Sequence, residues 1–317
     1  MKNYIWVMSI AALIIAGCGQ EQNGKKDATG IQAYSLFDKP FHTMKDSPAA
    51  KAKKDSNLAV AKANFDRDPD DEENIIWLGR RIAYFTRYKE AIDVFTEGIN
   101  KHPESAKLLR HRGHRYISIR EFDKAIADLE RAASLIKGTP DEVEQDGAPN
   151  KYNIPTSTLH FNIWYHLGLA HYLKADFESA LRSFTACLAV SKNNDALVAT
   201  SDWLYMINRR LEDKAAAARV LENITEGMKI LENGAYYDRL LLYKGLKTPE
   251  SILNFETDDA LALATYGYGI GNWYLYNGEQ KKAIAVFKKV VAGKYWPAFG
   301  FIAAEAELKA LNSPPSR

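Results

Sequence analysis

An all-α fold, a solenoid of stacked helix-turn-helix units, is predicted by three features of this 317-residue sequence. From about residue 57 the apolar residues fall at helical spacing. Within that stretch, small and large residues return at a fixed interval. Gly79 and Gly113, Ala91 and Ala125, and Phe95 and Leu129 are each 34 residues apart, a period that marks arrays of helical hairpins. Finally, Cys18 and Cys187 are the two cysteines of the chain. Two cysteines cannot make a framework of disulfides, so stability rests on packing.

Composition narrows the function classes. Apolar residues make up 46% of the chain, enough for a sizeable core. Lysine and arginine number 42 against 40 aspartate and glutamate, a formal net charge of +2. A protein dedicated to nucleic acid would carry a clearer basic excess, so no nucleic-acid partner is expected.

The first residues read as a targeting segment. Lys2 precedes the apolar stretch YIWVMSIAALII, residues 4–15, which is shorter than the ~20 residues that span a bilayer but suits a secretion signal. It ends in Ile15-Ala16-Gly17-Cys18 and turns polar at once. This run resembles the lipobox of bacterial lipoproteins. The resemblance implies that residues 1–17 are removed and that Cys18 carries lipid, which anchors the chain firmly when several acyl chains are attached. Gly19, rather than Asp, follows Cys18. An outer-membrane address facing the periplasm is therefore expected. Residues 18–56 are rich in Lys, Asp, Gln, Gly and Ala with scattered aromatics, Tyr34, Phe37 and Phe41. They read as a polar tether, the alternative being that the aromatics fold back as a short arm.

The repeats follow, over residues 57–312. The first carries Leu78-Gly79, Ile82, Ala91, Phe95, Gly98 and Pro103, and the second Leu109, Gly113, Tyr116, Ala125, Leu129 and Ala132. The third offers Trp164, Leu167-Gly168, His171, Ala180, Phe184 and Cys187, and a late copy Gly271, Tyr274, Ala283 and Phe287. The spacing has a physical basis. Antiparallel helices approach closely where small residues meet, large ones fill the space between, and each hairpin leaves an apolar face for the next to cover. These motifs resemble the tetratricopeptide repeat, which implies a right-handed superhelix with a concave inner face. The spacing of the small alanines gives about six units. They include an acidic insertion at 138–158 after the second, a degenerate unit over 231–263 and a covering helix over 296–312.

The cluster RHRGHR at 110–115 sits on the first helix of the second unit. The resemblance implies that the groove is lined by Trp77, Arg80 and Tyr84 from the first unit and by Arg110, His111 and His114 from the second. The third contributes Asn162, Tyr165 and His166, and the fourth Tyr205 and Arg209. Aromatic and arginine side chains are enriched where proteins bind one another, because they bury area and pair with carboxylates. The partner expected is another envelope protein or an acidic peptide segment, with self-association through the open face as a further reading. The alternative is that these residues fill a closed inner face. The carboxylate-clamp pattern of some co-chaperones is absent, since Ile76, Arg80 and His111 stand at its key positions. Arg112 takes a place where leucine is usual.

Catalytic and cofactor signals are weak. His111, His114 and His166 could approach one another across neighbouring helices, and three histidines suit a zinc site, but Arg110 is adjacent and no HExxH motif is present. The glycine-rich run GYGIGNWYLYNG at 267–278 lacks the preceding strand of a dinucleotide fold. Asp141, Glu142, Glu144 and Asp146 in the insertion lack the calcium-loop spacing and read as a solvated acidic loop. No cofactor is expected. A non-catalytic, membrane-anchored scaffold is the favoured reading. Its rival is an enzyme, or a metal- or small-ligand-binding protein, using the His/Arg/Tyr-rich groove.

Overall fold

A helical hairpin needs a tight turn, a small residue where its helices cross and a large one opposite, and the chain supplies this set repeatedly. The computed structural model describes residues 30–254 and 260–312; the signal-like stretch and Cys18 lie outside the described residues. The chain divides into two units, Met1–Gly30 and Ile31–Arg317, and every element below belongs to the second. A two-stranded antiparallel hairpin, β1 (Ile31–Tyr34) and β2 (Pro40–His42), is followed by α1 (Pro48–Arg67). Six helical pairs come next: α2 (Glu72–Ala83) with α3 (Tyr88–Lys101), α4 (Ala106–Ser118) with α5 (Phe122–Leu135), and α6 (Leu159–Leu173) with α7 (Phe177–Val190). The series continues with α8 (Asn194–Arg210) and α9 (Lys214–Glu222), α10 (Gly234–Tyr243) and α11 (Pro249–Ile252), and α12 (Ala260–Tyr276) and α13 (Gln280–Ala292). A last helix, α14 (Phe299–Asn312), closes the array.

One contact repeats through the pairs. A Cβ added to Gly79 would lie 2.4 Å from the Phe95 ring, and one on Gly113 would lie 2.8 Å from Leu129. The same holds for Gly168 against Phe184, at 2.6 Å, and Gly271 against Phe287, at 2.4 Å. Real Cβ atoms do not approach so closely, so glycine is required for the ring to fill the crossing. Phe95, Phe184 and Phe287 are fully buried there, each contributing roughly 1.5–3 kcal/mol relative to exposure. The turns repeat as well. Thr86, Arg120, Ala175, Glu212, Gly245 and Gly278 all have positive φ, the left-handed residue that ends one helix and reverses the chain. Four of the six are not glycine, and each of these carries a backbone cost of about 1 kcal/mol.

The structure departs from the sequence expectations at the N-terminal end. Residues expected as part of a tether fold onto the stack. Phe41 is buried, stacks on Trp296 with centroids 5.0 Å apart and meets Phe301 edge-on; Tyr34 and Phe37 stay exposed. The solenoid boundary at residue 57 moves back, because α1 starts at Pro48 and packs on α2. Its alanine- and lysine-rich sequence favours helix by propensity, with Ser47 capping Ala50 and the i,i+4 pairs Lys51–Asp55 and Lys62–Asp66. At the other end α14 packs on α12 and α13 and also reaches α6.

That reach closes the array on itself. Arg120 donates to Glu305 Oε2 at 2.8 Å and to the Trp296 carbonyl at 2.9 Å, and both charged side chains are buried. Trp296 donates through Nε1 to the His42 carbonyl at 3.1 Å and lies edge-on to Tyr88. The N-terminal hairpin, the first two helical pairs and the C-terminal helix thus meet at one point. On the opposite flank Glu307 pairs with Arg210, and the Tyr268 hydroxyl bonds the Tyr172 hydroxyl at 2.6 Å.

Candidate functional site

The first helix of each pair faces inward, and α2, α4 and α6 bring most of the expected groove residues together. Arg80 and Arg81 lie over the Trp77 ring, 4.3 and 4.8 Å from its centroid. His111 stacks on Phe95 at 5.7 Å and its Nδ1 meets Arg110 Nη1 at 2.8 Å. The rings of His114 and His166 are 4.3 Å apart, with Phe299 of α14 against both. His166 Nδ1 sits 2.6 Å from the Asn162 carbonyl. Tyr165 turns away, its hydroxyl 2.9 Å from that of Tyr236 and accepting from Trp203 Nε1. Tyr205 and Arg209 belong to a separate cluster. Tyr205 stacks on Tyr243 at 4.4 Å, and Arg209 donates to the Tyr205 hydroxyl and lies over the Tyr276 ring.

The expected open groove is not what the structure shows, for its inner face is covered by the chain itself. Phe299 covers the histidines, and the insertion covers the arginines. The insertion was expected to be a solvated loop; instead its first part is seated on α2, α4 and α6. Glu144 Oε1 lies 3.0 Å from Arg110 Nη2, and Glu144 Oε2 accepts from Asn162 Nδ2 at 3.0 Å. Arg80 donates to the Gln145 carbonyl and Arg81 to the Gly147 carbonyl, both at 2.8 Å. Glu142 pairs with Lys107 at 3.1 Å, and Val143 bridges Thr158. Gly147 passes over Tyr84 so closely that a Cβ would overlap the hydroxyl. The rest of the loop, with Tyr152 and Ile154, is exposed. Arg110, His111, Asn162, Tyr165, His166 and Tyr205 are buried, while Trp77, Arg80, Tyr84, His114 and Arg209 remain half-buried.

Burial and positive charge set the electrostatics of this face. His111, His114 and His166 all titrate well below the usual histidine value, because burial disfavours the charged ring and Arg110 and Arg115 repel it. Burial also brings Arg110 down to about 10, against the opposing pull of Glu144. Among the described residues, no group of three or more His, Cys, Asp or Glu side chains is arranged to hold a metal ion. The structure explains several sequence oddities. Arg112 makes a two-pronged pair with Asp128 at 2.7 Å and donates to Thr96, tying three helices together on the outer side. Gly269 makes room for Arg239, which runs to the Thr265 carbonyl and to the buried carboxylate of Asp202. The glycine-rich run is helix within α12 as far as Tyr276, and Gly278 forms the turn that follows. Cys187 is fully buried, with its thiol pushed up to about 12 by burial.

Residues 161–194, the α6/α7 pair, match the family model described as tetratricopeptide repeat. The chain carries a tetratricopeptide repeat. No curated protein matches the sequence. Among solved structures, the chain is similar to a tetratricopeptide repeat protein from Parabacteroides merdae, at 17% identity and a TM-score of 0.48, over 82% of this chain and 94% of that one. It is also similar to YrrB, a tetratricopeptide repeat protein with an unusual peptide-binding site, at 12% identity and a TM-score of 0.42, over 78% and 97% of the two chains. Around the matched repeat, α2/α3, α4/α5 and α12/α13 share its crossing of a glycine against a large residue. Among the described residues no helix is long and apolar enough to cross a membrane.

Proposed function

We propose that this chain is a non-catalytic recruitment scaffold, anchored to the outer membrane by lipid on Cys18. In this reading it binds an acidic, non-helical segment of another envelope protein along the inner faces of α2, α4 and α6. One observation carries it: the inner face already holds such a segment in cis, residues 142–147. Glu144 takes the Arg110 guanidinium and the Asn162 amide, while Arg80 and Arg81 grip main-chain carbonyls. Carbonyl contacts are indifferent to sequence, and the arginine fork selects the carboxylate. A partner segment with the same chemistry would exchange for the insertion, and the half-buried Trp77 and Tyr84 would give it apolar contact at the rim.

The test uses the insertion as its own probe. A fluorescent peptide of residues 139–149 is titrated into a variant in which 139–156 is replaced by a short Gly/Ser linker. Saturable binding is expected, weakened as salt screens the charges and lost in the Arg110→Glu form. Absence of binding in the linker variant sinks the reading. The anchor is tested separately by labelled palmitate in cells: incorporation is expected in the wild type and none in Cys18→Ala.

A further inference from the structure

The insertion does not fill the space beneath it. Between its residues Glu144–Asp146 and the inner faces of α2 and α4 lies a cavity of about 210 Å³, polar and roomy enough for a small ion or several waters. Arg80, Arg110 and Arg115 line it, with His111, His114 and Tyr84 beside them. Arg110 is paired with Glu144, and Arg80 is engaged with a carbonyl. Arg115 is different. Among the described residues it has no ion pair and no side-chain hydrogen bond; its guanidinium rests over the Tyr88 ring, 5.0 Å from the centroid. Burial holds its proton affinity below the usual arginine value, and no carboxylate acts on it to oppose that.

We propose that this cavity is a binding site for a small free oxyanion, a carboxylate or phosphate, with Arg115 as its principal ligand and Arg80 and Arg110 completing the cradle. The charge balance asks for one. Three guanidinium groups face two carboxylates, Glu144 and Asp146, and the histidines contribute no charge because they are held neutral. Arg115 is half-buried with no carboxylate partner among the described residues, and a planar guanidinium fork matches carboxylate and phosphate oxygens. The roof formed by Gln145, Asp146 and Gly147 explains why the ligand is small. Arg80 and Arg81 fix that stretch through its carbonyls, so a polypeptide cannot enter while the insertion is seated. The site shares Arg80 and Arg110 with the peptide-binding reading, but Arg115 belongs to the anion site alone, so the Arg115 variant tells failure of one from failure of the other.

The experiment is thermal unfolding of the full-length protein with inorganic phosphate or with succinate, against sodium chloride at equal ionic strength. One of the two probes is expected to raise Tm by about 5 °C or more at a concentration a hundred times its Kd. Which probe does so tells phosphate from carboxylate. In Arg115→Gln the shift should vanish, while Tm without anion stays close to that of the wild type, because the guanidinium has no ion pair or hydrogen bond for the substitution to break. If Arg115→Gln does not fold, Arg80→Gln at the half-buried rim is expected to weaken the shift in the same way. If neither probe moves Tm beyond chloride, or if the shift survives in the arginine variants, the proposal is overturned.

Discussion

His111, His114 and His166 occupy one inward patch with Phe95, Phe299 and the arginines around them, and this gives the protein a directional response to pH. In the native state each ring titrates well below its unfolded value of 6.5, through burial first and then repulsion by Arg110 and Arg115. Below pH 6.5 the unfolded chain therefore takes up protons that the native chain refuses. Stability falls as pH drops through that value and is level above it, by up to ~1.4 kcal/mol per pH unit for each histidine. Asp202 acts in the opposite sense. Burial raises its carboxyl to about 6 despite the Arg239 partner, so between about pH 4 and 6 the native state binds its proton more readily than the unfolded chain does. Comparing Tm between pH 7 and 5.5 in wild type and His166→Gln separates the two, since Asp202 is common to both. A shallower fall in the variant is expected; parallel curves would mean that native His166 takes its proton at an ordinary pH.

At the scale of elements, what could be read from the sequence depended on whether packing left a pattern. Gly79, Gly113, Gly168 and Gly271 are spaced as they are because each meets a large residue of the next helix, so the hairpins were legible from residue type and interval. The shortened α10/α11 pair was also visible, through Pro249 and the apolar run before it. By contrast, α1 has one buried residue, Ala61; a helix that buries so little leaves no apolar stripe, and its lysines and alanines resemble a tether. The hairpin β1–β2 is held by the single buried aromatic Phe41 and by Ala33, too few positions for an alternating pattern to stand out. The candidate site was legible on its helices and illegible above them. Arg80, Arg110, His111, His114, Asn162 and His166 converge as the helical register implies. Their covering by Glu144 and Phe299 is a long-range event to which no local spacing points. The four acidic residues of the insertion were the available signal, because a basic face and an acidic loop in one chain complement each other in charge. Arg115 was read as part of the RHRGHR cluster but not as a groove residue, because its place over Tyr88 without a carboxylate partner shows only in the fold.

Across the whole molecule, the closure of the array determines how a local change spreads. In an open repeat stack each unit touches only its neighbours, so damage at one end stays there. Here Arg120, in the turn between α4 and α5, is tied to Glu305 and to the Trp296 carbonyl, and Trp296 is tied in turn to His42, Phe41 and Tyr88. Arg120 adopts positive φ, a conformation more comfortable for glycine, yet only its side chain supplies this link. Glu305→Gln removes the counter-charge of a buried guanidinium while keeping the shape of the side chain. A loss of about 3–5 kcal/mol is expected, the usual cost of stranding one member of a buried pair. Its distribution is the more telling result. Hydrogen exchange should quicken together in residues 31–42, 116–122 and 296–312, while α7 and α8 keep their protection. Quickening confined to 296–312 would show that α14 is only a terminal cap and that the ends of the array act independently. If all three regions respond together, the two ends of the array are coupled through the turn after α4, the helix that carries Arg110 and Arg115. A ligand seated beneath the insertion would then slow exchange at the N-terminal hairpin, which it does not touch.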